Sequence, residues 1–260
     1  MMIPDHLRPV DFPIAPAQKP GFVTGFTGLR VHFSSEAEAH QAYEGALERF
    51  QNPLRWFQQP PVADRMKLHY NLVDGTNTPI TGRGPAIGDY GRVQVGASKT
   101  ADWVHIENVG SGPDMVSFTF RPTGSPISSA PGETSHFYTH DATNTMTIWR
   151  DQKDLVSTVQ IRNVRGNTLA PEMPDAARRL RNHAYWIGSE LGGQKYMWTT
   201  WVGESSLAGI RATGKGQGYL WRPRNTEGLT SYIPELYAHG AKAALTSARE
   251  GVSNLMKLVH

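Results

Sequence analysis

The sequence predicts an α+β protein with a curved antiparallel sheet of about six or seven strands, packed with helices, and a C-terminal helical extension. Strand-like segments follow one another between residues 66 and 163, separated by glycine, proline, asparagine and aspartate. Most of these connections are too short for a crossover helix, which predicts antiparallel pairing. Apolar residues recur at helical spacing in three places, near residues 36–50, across 175–191 and from Ile233 onwards.

The composition is that of an ordinary globular chain. Of the 260 residues, 38% are hydrophobic and 19% are charged, which predicts one large domain or two small ones with a sizeable core. The absence of cysteine excludes a disulfide framework, thiolate metal sites and a cysteine nucleophile. Residues 1–9 lack the apolar stretch of a signal peptide, and no segment has the roughly 20 apolar residues of a spanning helix. We therefore expect a soluble, cytoplasmic protein with no membrane span.

Three segments follow from the distribution of residue types. Residues 1–27 are predicted to form a proline-rich extended arm, because five prolines remove backbone donors and forbid a regular helix. The arm lies across the body or across a neighbouring subunit, or it is a frayed tail. Residues 28–192 form the predicted α+β core domain. Residues 193–260 hold an aromatic and glycine-rich segment and a C-terminal amphipathic helix, which packs on the core or on a partner subunit.

Within the core domain, the elements are assigned from local patterns. Ser35 and Glu38 form a capping-box pattern, which predicts a helix that ends before Pro53. Asp175 after Pro174 predicts the start of a second helix. Residues 194–230 receive no assignment. Alternating apolar residues predict strands at 28–33, 66–73, 90–96, 103–109, 115–121, 136–139 continuing through 145–150, and 155–163.

The order strand, helix, antiparallel strands, helix over about residues 28–192 resembles the helix-grip topology of START-like and polyketide-cyclase-like proteins. In that fold, a curved antiparallel sheet wraps a long helix around an apolar cavity. The resemblance is one of element order alone and implies a pocket between sheet and helix. A plain sandwich or barrel with added helices has a similar order of elements.

The richest stretch for chemistry runs from residue 135 to residue 150. It combines two histidines, a tyrosine, an aspartate and four threonines with the alternation of a strand. That alternation puts His136, Tyr138 and His140 on one face. If the face borders a cavity, these three residues are ligand contacts or catalytic candidates for proton transfer near neutral pH, and Trp103 and Trp149 are candidate pocket walls. The alternative is a face that meets solvent or cross-strand partners.

A metal site is not predicted in this stretch. His136 and His140 are four residues apart, which spans about 13 Å on a strand and is too far for one ion. Asp141 and Asn144 fit a bulge or turn that would interrupt the strand. No cofactor is predicted.

The remaining motifs are weak. The stretch 203–209 resembles a nucleophile elbow but has Leu207 where glycine is required, which argues against a serine hydrolase. The glycine-rich loop at 214–218 matches no nucleotide fingerprint, although Lys215, Arg222 and Arg224 make it a weak candidate for a phosphate or other anion. The basic and aromatic segment 178–224 is better explained by core tryptophans and a solvated helix face, so nucleic acid is an unlikely partner.

Three functions are compatible with these patterns. The leading hypothesis is binding of a small, partly apolar ligand in a pocket between sheet and helix. The second is an enzyme of the cyclase or isomerase type that uses His and Tyr side chains for acid–base chemistry. The third is a structural or assembly protein, for example a homo-oligomer, that uses the N-terminal arm and the C-terminal helix.

Overall fold

The computed structural model describes residues 5 and 8 and the ranges 15–52, 68–95, 101–130 and 133–167, together with the backbone of two strands at 217–223 and 230–233. Within these ranges the chain forms one α-helix, α1 (Glu36–Phe50). It also forms nine strands: β1 (Val23–His32), β2 (Leu68–Val73), β3 (Tyr90–Val95), β4 (Asp102–Gly112), β5 (Met115–Thr123), β6 (Thr143–Asp151), β7 (Asp154–Val164), β8 (Gln217–Pro223) and β9 (Thr230–Ile233).

The strands form one antiparallel sheet in the order β2-β3-β4-β5-β6-β7-β1-β8-β9. The six strands from β2 to β7 are a meander, in which each strand pairs with its neighbour in sequence. The first strand, β1, then pairs with β7 on one side and β8 on the other. The prediction of an antiparallel sheet packed with a helix is therefore confirmed.

The start of α1 follows the capping pattern, with one difference. Ser35 is the N-cap, and its hydroxyl accepts a hydrogen bond from the Glu38 backbone N–H at 3.2 Å. The Glu38 carboxylate does not return to Ser35. It accepts instead from the N–H of Ser34 at 3.2 Å and from the Ser34 hydroxyl at 2.5 Å. The helix ends at Phe50, ahead of Pro53 as predicted.

The helix packs on one face of the sheet, which we call the helix face. Three alanines on α1 are fully buried there and let the helix approach β6 and β7 closely. Phe50 stacks on Phe118 of β5, with ring centroids 4.7 Å apart. One continuous apolar cluster fills this side of the sheet, and its strand residues include Leu29, Val31, Val104, Ile106, Val116, Phe120, Met146, Ile148, Leu155, Val159 and Ile161.

A glycine on β3 is required by this packing. A Cβ atom at Gly91 would overlap the hydroxyl of Tyr70 and lie 2.7 Å from Val104 Cγ2. We expect Gly91→Ala to lower the free energy of unfolding by about 1–3 kcal/mol, because overpacking displaces neighbours. Urea unfolding would measure this, with Gly112→Ala as the control, since nothing lies within 4 Å of a Cβ there. Equal stability of the two variants would contradict the close approach.

Some boundaries differ from the sequence prediction. β1 begins at Val23, five residues before the predicted strand and inside the predicted arm. The segment 194–230, which has no predicted structure, contains β8 and the start of β9, and Ile233 is the last residue of β9. The predicted helices at 175–191 and beyond Ile233, including the C-terminal extension, lie outside the described residues. Among the residues that are described, no helix is long and apolar enough to cross a membrane.

The largest correction concerns residues 136–139. They are not part of β6, which starts at Thr143. Only Tyr138 makes an isolated bridge, to Gly166, and a turn follows at His140 and Asp141. The alternating pattern predicts a strand, but the backbone is bound by the segment after β7: Thr139 N–H donates to the Arg165 carbonyl at 3.0 Å, and Asn167 N–H donates to the Phe137 carbonyl at 2.8 Å.

Candidate functional site

The sheet face that points away from α1 carries an unusual row of small residues. The register aligns one residue from each of five neighbouring strands across the sheet. Because directly opposed residues in an antiparallel sheet share a face, these side chains form one line perpendicular to the strands, about 19 Å long at roughly 4.8 Å per strand. We call this line the small row; its residues, from β4 to β1, are Gly110, Ser117, Thr147, Thr158 and Gly28.

Larger side chains border the small row on both sides. On one side, Met115, Trp149 and Val156 are aligned on β5, β6 and β7. Phe26 of β1 joins them in a separate apolar cluster. By register, Phe26 lies opposite Gln160, on the other side of the row, and Gly28, two residues further along β1, has no side chain. On the other side lie Thr119, Thr145 and Gln160, also aligned with one another.

The small row and its polar border are buried without satisfying all of their hydrogen-bonding groups. Thr147, Thr158 and Gln160 are each at most 1% exposed. The hydroxyls of Thr147 and Thr158, and both Nε2 and Oε1 of Gln160, have no hydrogen-bond partner among the described residues. A buried polar group without a partner costs about 1–3 kcal/mol, so such a cluster is rarely retained by chance.

A neighbouring pair of threonines, in contrast, has hydroxyls that are hydrogen-bonded. Thr119 Oγ1 and Thr145 Oγ1 lie 3.0 Å apart and hydrogen-bond to each other. Both residues are buried and sit directly opposite one another on β5 and β6. The sheet therefore satisfies hydroxyls where two threonines can reach each other, but leaves Thr147 and Thr158 unsatisfied although they also face each other.

Arginines lie at one end of this face. Arg121 of β5 follows Thr119 on the same face and donates to both carboxylate oxygens of Glu107, at 2.5 and 3.0 Å. It also donates to the His140 carbonyl at 2.9 Å, which holds the turn before β6 against the sheet. Arg162 of β7 follows Gln160 and donates to the Thr24 hydroxyl at 3.1 Å. Burial lowers the pKa of Arg162, and the nearby Arg8 lowers it further.

A histidine on β4 borders this arginine end. Burial lowers the pKa of His105, and the nearby cation Arg121 lowers it as well, while Glu107 acts in the opposite direction. At neutral pH the imidazole is therefore uncharged, and it can donate one hydrogen bond and accept another. Its ring lies near that of Tyr90, with centroids 6.5 Å apart.

The end of the arm is fastened to the body near the same turn. The Lys19 ammonium and the Asp141 carboxylate lie 2.5 Å apart. This contact with Lys19 holds the pKa of Asp141 below its usual value. Asn163 of β7 accepts a hydrogen bond from the Lys19 backbone N–H at 2.6 Å and donates to the Ala17 carbonyl at 3.1 Å. Residues 17–19 therefore lie beside the end of β7 and the turn at Asp141.

The predicted triad of His136, Tyr138 and His140 is not brought together on one face. His136 and Tyr138 are buried, whereas His140 is exposed in the turn. Tyr138 belongs to the apolar cluster of the helix face. His136 Nδ1 accepts a hydrogen bond from the Tyr138 backbone N–H at 3.0 Å, and its ring stacks on Phe137. These contacts give His136 a structural role in the loop between β5 and β6.

Both predicted tryptophans lie on the face away from α1, but at opposite ends. Trp149 is aligned with Met115 at the start of β5, and Trp103 is aligned with Thr123 at its end. Eight residues of strand separate these positions, which is about 26 Å. Only Trp149 borders the small row, so the two tryptophans do not line one compact pocket.

Three other predicted residues lie largely beyond the described ranges. Lys215 and Arg224 are outside them, and Arg222 is described only through the backbone of β8. For metal ligands, no group of three His, Asp or Glu side chains comes together in the part of the chain that the structure describes.

The sequence matches no protein-family model, and it matches no curated protein. The candidate site therefore rests on its own geometry.

The sequence contains one signal for the small row, which is the series of threonines on β6. Thr145 and Thr147 alternate with the apolar Met146 and Ile148 on β6. Such alternation is typical of a sheet face that meets water. The signal of a site is that these threonines are buried, and burial depends on register and packing that the sequence does not display.

Proposed function

We propose that the protein binds a small, partly apolar ligand on the sheet face opposite α1, over the small row. The observation that carries this proposal is the set of buried hydroxyl and amide groups that lack partners at Thr147, Thr158 and Gln160. A bound molecule that hydrogen-bonds to them would recover the free energy lost on their burial.

The surroundings of the small row support a ligand with both apolar and polar parts. Phe26, Trp149 and Val156 provide an apolar wall. Thr147, Thr158 and Gln160 provide directional hydrogen bonds. Ligand sites commonly combine a mainly apolar lining with a few oriented polar groups. The helix face offers less, because side chains of α1 and the sheet form a continuous apolar cluster there.

This proposal moves the predicted pocket from the helix face to the opposite face. Of the five predicted ligand contacts, it retains Trp149. The enzyme hypothesis stays a prediction. Its three residues are separated between the core and the surface, so no observation here favours it.

The test is a thermal-shift screen of the full chain with a library of small amphipathic molecules. A ligand present at 100 times its Kd stabilises by about 2.7 kcal/mol, which raises Tm by roughly 5–10 °C in a protein of this size. The variant Thr147→Val/Thr158→Val should lose the shift. The control Thr119→Val/Thr145→Val should keep it, because those hydroxyls bond to each other.

Two results would contradict the proposal. One is the absence of any stabilising compound in a broad library. The other is a shift that persists undiminished in Thr147→Val/Thr158→Val, which would place the ligand elsewhere.

A further inference from the structure

We infer that the ligand presents an amide-type edge, with an N–H donor and a carbonyl acceptor side by side, to the side chain of Gln160. This inference rests on the proposed function and names the chemical class that the site would select. It starts from a single side chain, because Gln160 is the carboxamide of the site, and neither its donor atom Nε2 nor its acceptor atom Oε1 has a partner among the described residues.

The chemistry of a carboxamide limits what can satisfy it. Nε2 of Gln160 offers hydrogens, and Oε1 offers lone pairs. A carboxylate can only accept, so it would leave Oε1 without a donor. An ammonium group can only donate, so it would leave Nε2 without an acceptor. A lactam, a primary amide, a urea or an imide carries both functions on adjacent atoms and pairs with both ends of Gln160.

The described neighbours of Gln160 do not supply these partners. Its side chain is 1% exposed. The register places it between Thr145 of β6 and Phe26 of β1. The Thr145 hydroxyl already bonds to Thr119, and the side chain of Phe26 has no polar atom. The two free hydroxyls nearest in register, Thr158 on the same strand and Thr147 opposite it, can serve the remaining lone pair of a ligand carbonyl.

The side chains along β7 indicate where the apolar part of the ligand lies relative to Gln160. Val156 lies four residues from Gln160 on the same face of β7, about 13 Å away. Thr158, which faces Gly28 of β1, lies between them on this face, and Trp149 of β6 is aligned with Val156. In the inferred complex, the amide therefore lies at Gln160 and its alkyl substituent is directed towards Trp149.

The experiment compares four probes by isothermal titration calorimetry with the full chain. The first is a piperidin-2-one with a linear alkyl chain on carbon 6. The others change one function each: the N-methyl lactam lacks the donor, the matching δ-lactone replaces the N–H by oxygen, and the matching open-chain fatty acid presents a carboxylate. We expect the lactam to bind at least about tenfold more tightly than each of the others, because each leaves one buried group unpaired.

The variant Gln160→Met should bind the lactam and the lactone equally, since it removes both functions at nearly constant size. Thr119→Val/Thr145→Val is the matched control and should keep the lactam preference. Equal affinity of the four probes for the wild-type chain, or tighter binding of the fatty acid, would overturn the inference while leaving ligand binding intact. This probe comparison does not depend on the folding of any variant. Failure of the proposed function is a different result, in which neither these probes nor the library binds.

Discussion

Replacing Thr158 with valine should raise the free energy of unfolding of the unliganded protein by about 1–2 kcal/mol. The Thr158 hydroxyl is fully buried and has no partner among the described residues. Valine has nearly the same shape without the hydroxyl, so the substitution removes a desolvation cost and no hydrogen bond. Urea unfolding of both proteins measures the difference.

The matched substitution Thr145→Val, in the row beside the small row, should change the free energy of unfolding in the opposite direction. Thr145→Val leaves the hydroxyl of Thr119 without the partner that it has at 3.0 Å, and should lower the free energy of unfolding by about 1–3 kcal/mol. The two variants make the same chemical change on adjacent strands of the same buried face. A loss of stability in Thr158→Val would show that its hydroxyl has a partner, such as an ordered water molecule.

If the proposed function is correct, the stabilising change should also weaken ligand binding. Binding sites commonly keep polar groups that reduce stability when the site is empty. A gain in stability together with a loss of thermal shift would be the signature of such a site. A gain in stability with an unchanged thermal shift would show that the unsatisfied hydroxyls do not contribute to ligand binding.

Replacing Asn163 with alanine should release the end of the N-terminal arm and lower the free energy of unfolding by about 3–4 kcal/mol. The variant loses two side-chain hydrogen bonds, from Lys19 N–H and to the Ala17 carbonyl, each worth about 1 kcal/mol. It also places alanine at φ 55°, which costs about 1–2 kcal/mol more. Hydrogen exchange at the Lys19 amide should become fast, and urea unfolding gives the stability change.

Two further variants distinguish the loss of the hydrogen bonds from the cost of the positive φ. Asn163→Gly loses the hydrogen bonds without the backbone strain, so it should release the arm at a smaller cost. Asn77 also has a positive φ, of 64°, in the turn after β2. Asn77→Ala should therefore show the strain, partly offset by removal of Oδ1, which is buried without a partner among the described residues. Exchange at Lys19 should stay unchanged. Slow exchange at Lys19 in Asn163→Ala would mean that the arm is held by other contacts.

Elements with a complete local signal could be predicted from the sequence. Ser35 and Glu38 determine the start of α1 through contacts within four residues. In β3, β4, β5 and β7, the alternating pattern is formed by residues that are neighbours in the sequence. Their predicted positions therefore agree with the structure within a few residues. Their antiparallel pairing follows from the short connections between them.

Features that depend on distant residues could not be predicted in this way. Residues 136–139 alternate like a strand, but Arg165 and Asn167 determine their conformation from beyond β7. The small row is assembled from β1, β4, β5, β6 and β7, and each strand contributes one residue that is unremarkable alone. Only the register reveals that Thr158 and Gln160 are neighbours of Phe26, Thr145 and Thr147.

The place of β1 between β7 and β8 has a consequence for synthesis. The hydroxyl of Thr24 in β1 donates to the carbonyl of Ile161 in β7, 137 residues further along the chain. A ribosome that adds about 5–20 residues per second needs roughly 7–27 s to supply that partner. The meander can pair progressively as it emerges, whereas β1, the first of the described strands to be made, must wait beside the growing chain with its apolar residues exposed. The nascent chain should therefore be most prone to aggregation before β7 emerges, and addition of β1 should be a late event in folding.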